Sequence, residues 1–153
     1  MKSRLFLFAA CVSAAFLLQA APLDVSGFAR SFDIVVPPTS VGEAVSLTDF
    51  PALVRLSTAI DGFSYSDFRQ QDGGDLAFTD MAGEVIPHEI DTWNESGESL
   101  VWVKVPTLAR CTVIRCYYGN SSYSSAVAAT SVWSGFTGVW HMKEVSGTVA
   151  DAT

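Results

Sequence analysis

Two carboxylates and an indole recur at every second position of "HEIDTW": Glu89, Asp91 and Trp93. In an extended strand alternate side chains share a face, so these three would line up about 7 Å apart. Carboxylates at that spacing fit the acid and base of an inverting glycosidase, and an exposed indole makes a floor for a sugar ring. A second indole, Trp102, alternates with Val101 and Val103 in "LVWVKVP" and shares its face with Lys104. If the two runs pair around "NESGES", Trp93 and Trp102 meet across the hairpin in an apolar patch rimmed by Glu89, Asp91 and Lys104, the chemistry of a carbohydrate platform. The plainer reading of the same residues is a solvated strand face whose rings lock the hairpin.

Asp72, Asp75 and Asp80, with the backbone oxygens of Gly73 and Gly74, are of the ligand type that calcium takes roughly six to eight at a time. Their spacing matches no calcium loop, and Asp-Gly-Gly-Asp is also what a tight turn requires, so turn chemistry is the stronger reading. His88 shares a face with Ile86 and Ile90, which predicts a satisfied, partly buried imidazole, and His141 inside "VWHM" reads the same way. Two distant histidines and no cysteine pair at zinc spacing speak against a zinc site. There is no nucleophile elbow, phosphate loop or dinucleotide glycine pattern, and no cofactor is expected.

The elements that must position these residues are strands. Phe32, Ile34 and Val36 fall on one face of a strand stopped by "PP"; Ala52, Val54 and Leu56 give the next, opened by "FP". A short strand follows the turn "DGGD". Residues 85–93 alternate as Ile86, His88 and Ile90 against Glu89, Asp91 and Trp93, and Pro87 marks an edge strand or a strand start. Val101, Val103 and Val105 point inward on the next strand, and Ile114, Cys116 and Tyr118 on the one after. "NESG" is a hairpin connection, with Gly97 free to take a positive φ. Short strands separated by turn signals predict an all-β, antiparallel β-sandwich over residues 24–120. Residues 121–135, small and polar, read as a linker, and residues 136–153 as the start of a second β domain.

The first residues read as a processing signal. "MKSR" is a short basic start, residues 5–18 are an apolar run, and Ala20 and Ala21 follow, the three parts of a secretory signal peptide over residues 1–20. The run falls short of the ~20 apolar residues a spanning helix needs, which favours a cleaved signal over an uncleaved membrane anchor, and no later apolar run could span a bilayer, so no membrane span is expected after cleavage. Cys11 after "AA" offers a lipid-modified cysteine as the alternative. The formal net charge is −7, with only nine scattered lysines and arginines. That argues against nucleic acid and anionic membrane surfaces as partners, because both need a basic footprint. Cys111 and Cys116 would lie roughly 16 Å apart on one strand, too far to bridge, so both thiols are expected free unless Cys111 sits in the preceding turn and the chain bends back.

Taken in order, "FPALVRL", "DGGDLAFTD", "IPHEIDTWN", "VWVKVP" and "YYGN" resemble the bacterial family of domain of unknown function 2341, over about residues 28–120. The "GVWHMKE…ADAT" segment resembles the opening of a concanavalin A-like, laminin-G-type jelly roll, which often follows this family's domain in exported proteins. Relatives also occur fused to proton-channel proteins of the MotA/TolQ/ExbB group. The resemblance implies architecture and supplies no activity. The combined expectation is an exported, non-catalytic module in the periplasm, on the cell surface or outside the cell, binding carbohydrate or another surface ligand. The alternatives are a structural or adhesive spacer and, more distantly, a glycoside hydrolase.

Overall fold

The computed structural model describes residues 21–37 and 45–153, so the expected signal segment 1–20 lies outside the described residues. Among the described residues seven strands form: β1 (Arg30–Val35), β2 (Leu47–Leu56), β3 (Ala77–Thr79), β4 (Val85–Ile86), β5 (His88–Thr92), β6 (Ser99–Leu108) and β7 (Val113–Tyr118). They make two antiparallel sheets, one in the order β1-β7-β3-β4 and one in the order β2-β6-β5. No α-helix occurs among the described residues, and no helix there is long and apolar enough to cross a membrane. The chain is all-β.

Period-two alternation explains the core. In the four-stranded sheet Phe32, Cys116, Phe78 and Ile86 stand in one cross-strand row. In the three-stranded sheet Val54, Val101 and Ile90 form a row, with Ala52, Val103 and His88 beside it. These inward faces meet in a single apolar cluster in which Val101, Val103, Phe78 and Cys116 are fully buried. Each buried valine contributes about 1.5–3 kcal/mol by leaving water. Cys116 is free and buried and Cys111 is free and exposed; Cys111 lies in the turn before β7, with φ of 60°. Burial pushes the Cys116 thiol well above its ordinary range.

Pro87 marks more than an edge. The alternating stretch expected as one strand is broken there, and its two halves join different sheets: β4 pairs with β3, whereas β5 pairs with β6. Proline has no N–H to give a ladder, so the chain can change sheets at this residue, while the Pro87 carbonyl still accepts from Lys104 N–H at 2.9 Å.

The "NESG" hairpin joins β5 to β6 as expected, but not through a positive φ at Gly97. Its turn closes by Gly97 N–H donating to the Asn94 carbonyl (3.1 Å), with the Asn94 side chain accepting from Ser96 N–H (3.2 Å). Buried Ser99 fixes the base of the hairpin, its hydroxyl accepting from Asn94 N–H at 2.8 Å and meeting the Tyr65 hydroxyl at 2.9 Å.

Residues 121–135 do not run free of the sandwich. They carry a 3-10 turn, Ala129–Trp133, that packs on β5 and β6 and buries Val132 and Trp133. Residues 136–153 contain no strand; their two arms meet where Ala152 N–H donates to the Val139 carbonyl, 2.8 Å.

Candidate functional site

A β-bulge decides where the opening residues go. Glu89 stands opposite Trp102 and Ile90 opposite Val101, but the next paired residue is Thr92, opposite Leu100. Asp91 is the extra residue, and an added residue in a strand shifts everything after it to the other face. Glu89 and Asp91 therefore stay on the outer face with Trp102 and Lys104, while Trp93 turns inward.

The expected meeting of Trp93 and Trp102 does not occur. Trp93 closes one end of the core, with ring centroids 4.9 Å from Phe68 and 5.3 Å from Tyr65. Its indole N–H donates to Glu95 at 3.2 Å. It also lies over Gly73, where a Cβ would come within 2.6 Å of the ring; with φ of 73° as well, that position accepts only glycine without strain.

The β5–β6 part of the outer face of the three-stranded sheet is instead covered by the chain's own later residues, while Leu53 on β2 stays exposed. Trp133 packs edge to face on Trp102, ring centroids 5.3 Å apart, and its indole N–H donates to the Glu89 carboxylate. The Lys104 ammonium donates to the Ser134 hydroxyl. His141 lies between the two carboxylates: Nδ1 is 3.1 Å from Asp91 Oδ1, and Nε2 is 3.3 Å from both Glu89 oxygens. Lys143 Nζ is 3.1 Å from the same Asp91 oxygen and also donates to the Asp91 backbone carbonyl. The His141 side chain is only 16% exposed and that of Asp91 12%, so these contacts are shielded from water more than an ordinary surface pair. His141 is thus held by polar partners, as its burial demands, but those partners lie some fifty residues earlier in the chain.

Side chains of this segment, which turns through a φ of 56° at Met142, fall on two sides. His141 and Lys143 turn toward β5, while Trp140 and Met142 are left 55% and 72% exposed. Sequence reasoning missed Trp133, Ser134, and the role of Lys143 and His141. The available signal was "VW" at residues 132–133, a large apolar pair in an otherwise small, polar stretch.

The three aspartates serve separate turns. Asp75, fully buried, accepts from Arg69 N–H (3.0 Å), Gly119 N–H (2.9 Å) and Asn120 N–H (2.9 Å), tying the loop before β3 to the end of β7. Asp80 accepts from Ala82 and Glu84 N–H in the β3–β4 turn. Asp72 is exposed, with φ of 54° beside Gly73. Among the described residues no group of three His, Cys, Asp or Glu side chains is placed to hold a metal ion. His88 sits against Phe78, centroids 5.3 Å apart, and loss of water around it pushes its pKa down to about 4, against a raising contribution from its hydrogen bond to the Ile86 backbone.

Residues 72–152 match the family described as "Domain of unknown function (DUF2341)". No curated protein and no solved structure matches the chain. The family match takes in β3 to β7, runs across the boundary expected at residue 120, and contains every residue of the outer-face cluster. It covers more than half of the sequence, and the chain belongs to the DUF2341 family.

Proposed function

We propose that the chain is an exported, non-catalytic β-sandwich module whose three-stranded sheet serves as a seat for its own residues 129–143, making the module a structural spacer with a fixed exit direction for the chain. The observation that carries this reading is that Glu89, Asp91, Trp102 and Lys104 each meet a residue from 133–143. An open carbohydrate platform would leave those groups to the ligand. The same geometry supports a non-catalytic role for the acids, since the imidazole occupies the space between Glu89 and Asp91 that a scissile bond would need.

Carbohydrate or another surface ligand is the second reading, now carried by different residues. Trp140 is exposed, its ring laid over Gly138, where a Cβ would fall 2.4 Å from it, and Phe136 is half exposed nearby in sequence. An exposed ring of this kind is what a sugar ring stacks on. A polysaccharide pull-down with the full chain separates the readings. The spacer reading expects no retention on any glycan; retention that is lost in Trp140→Ala with an unchanged melting temperature would establish the binding reading instead.

A further inference from the structure

We infer that the seat is a proton-controlled latch, closed when His141 is charged and loosened when it is neutral. The inference rests on the seat described above and concerns its regulation.

Both ring nitrogens of His141 face a carboxylate, Nδ1 toward Asp91 at 3.1 Å and Nε2 toward Glu89 at 3.3 Å. A neutral imidazole carries one N–H and one lone pair, and a carboxylate is acceptor only. In the neutral form one nitrogen therefore presents a lone pair to a carboxylate oxygen, at a distance where an N–H belongs. The imidazolium has two N–H groups and satisfies both carboxylates at once. Other groups around the ring do not replace the missing donor. From β5 come only Glu89 and Asp91. The Trp133 ring, 5.6 Å away, directs its N–H to Glu89, Lys104 on β6 is engaged with Ser134, and Lys143 on the same segment already shares Asp91.

Charge counting agrees with the hydrogen-bond count. Among the groups that touch the imidazole or share a carboxylate with it, neutral imidazole leaves two carboxylates against the Lys143 ammonium and imidazolium balances them, the Lys104 ammonium being turned to Ser134. Because the His141 and Asp91 side chains are mostly covered, the uncompensated charge is poorly screened. Deprotonation thus weakens the attachment of residues 139–143 without touching the core, whose nearest histidine, His88, is packed against Phe78 on the other face of the sheet. Histidine is the side chain that ordinarily changes charge between pH 5 and 8, which sets the range over which the latch is tested.

The test uses the full chain and nitrogen-15 NMR between pH 5 and pH 8, following the backbone amides of 136–145, the Trp133 indole N–H and, as a core control, the amides of β7. The expected result is that tail amides and the Trp133 indole move together with the His141 ring resonances, the docked fraction relative to undocked falling toward pH 8, while β7 stays still. In His141→Gln, which always offers one donor group, that pH response disappears. A tail that stays docked across the range while the His141 ring titrates would overturn the latch but leave the seat. A tail undocked at both ends of the range, with no contact between Trp102 and Trp133, would overturn both.

Discussion

Trp102 and Trp133 meet edge to face on the outer surface of the three-stranded sheet, ring centroids 5.3 Å apart and planes at 65°. One ring stands on β6 and the other in a 3-10 turn that follows the last strand, so this contact ties two distant parts of the chain. Aromatic pairs of this geometry are worth about 0.5–1.5 kcal/mol beyond the area they bury. A double-mutant cycle of Trp102→Ala and Trp133→Ala, read by chemical denaturation, should return a coupling energy in that range. Strict additivity of the two substitutions would mean that the rings do not interact.

Asp75 should be the most sensitive polar residue of the fold. Replacing it by alanine strips the acceptor from the amides of Arg69, Gly119 and Asn120 in a buried position, at a cost of about 3 kcal/mol or more. Asp75→Asn, which keeps one acceptor oxygen, should lose less. Because the carboxylate is already occupied by backbone donors, chelator treatment should leave the melting temperature of the wild type unchanged; a fall restored by calcium would return Asp75 to the role of metal ligand.

Global stability should fall as the solution is acidified. His88 has a folded-state pKa of about 4 against an ordinary value of 6.5, so the unfolded chain takes up the proton first. The stabilisation is complete above about pH 6.5 and is lost progressively as pH drops toward 4, by on the order of 3 kcal/mol at about 1.4 kcal/mol per pKa unit. Urea titrations at pH 7 and pH 4.5 measure it, and His88→Gln should flatten that part of the curve. A slope that His88→Gln leaves intact would assign the effect to another group. The sign is opposite to that of the latch, which closes on acidification.

The two described thiols should behave differently. Cys111, exposed in its turn, should react with a maleimide in the native protein, whereas Cys116, buried between Phe32 and Phe78, should react only after denaturation. Rapid native labelling of both, or an intramolecular cross-link between them in the unreduced protein, would contradict this packing.

The rows of the core were readable because a half-buried strand must alternate. Phe32 with Ile34, Val54 with Leu56, and the valines 101, 103 and 105 all turn inward as their spacing dictates. Alternation names a face but not a sheet, and so Ile86 and His88, two residues apart, could not be seen to belong to opposite layers. A one-residue bulge leaves no compositional mark either, and the one at Asp91 carries Trp93 away from Glu89 and Trp102. The candidate site was legible in half: the sheet side of it, Glu89, Asp91, Trp102 and Lys104, follows from period two. Its other half, Trp133, His141 and Lys143, lies in a segment whose small, polar lead-in resembles a linker, and only the tertiary contact reveals its use.

The seat itself is tested most directly by nuclear Overhauser contacts in the full chain at pH 5.5, between the ring protons of Trp102 and those of Trp133 and between the Trp133 indole proton and the Glu89 side chain. Both sets of contacts are expected, with the Trp133 indole proton exchanging with water much more slowly than that of a free indole. A Trp102 ring with contacts only to its own sheet, and a Trp133 indole proton exchanging as fast as in an unstructured peptide, would contradict the seat.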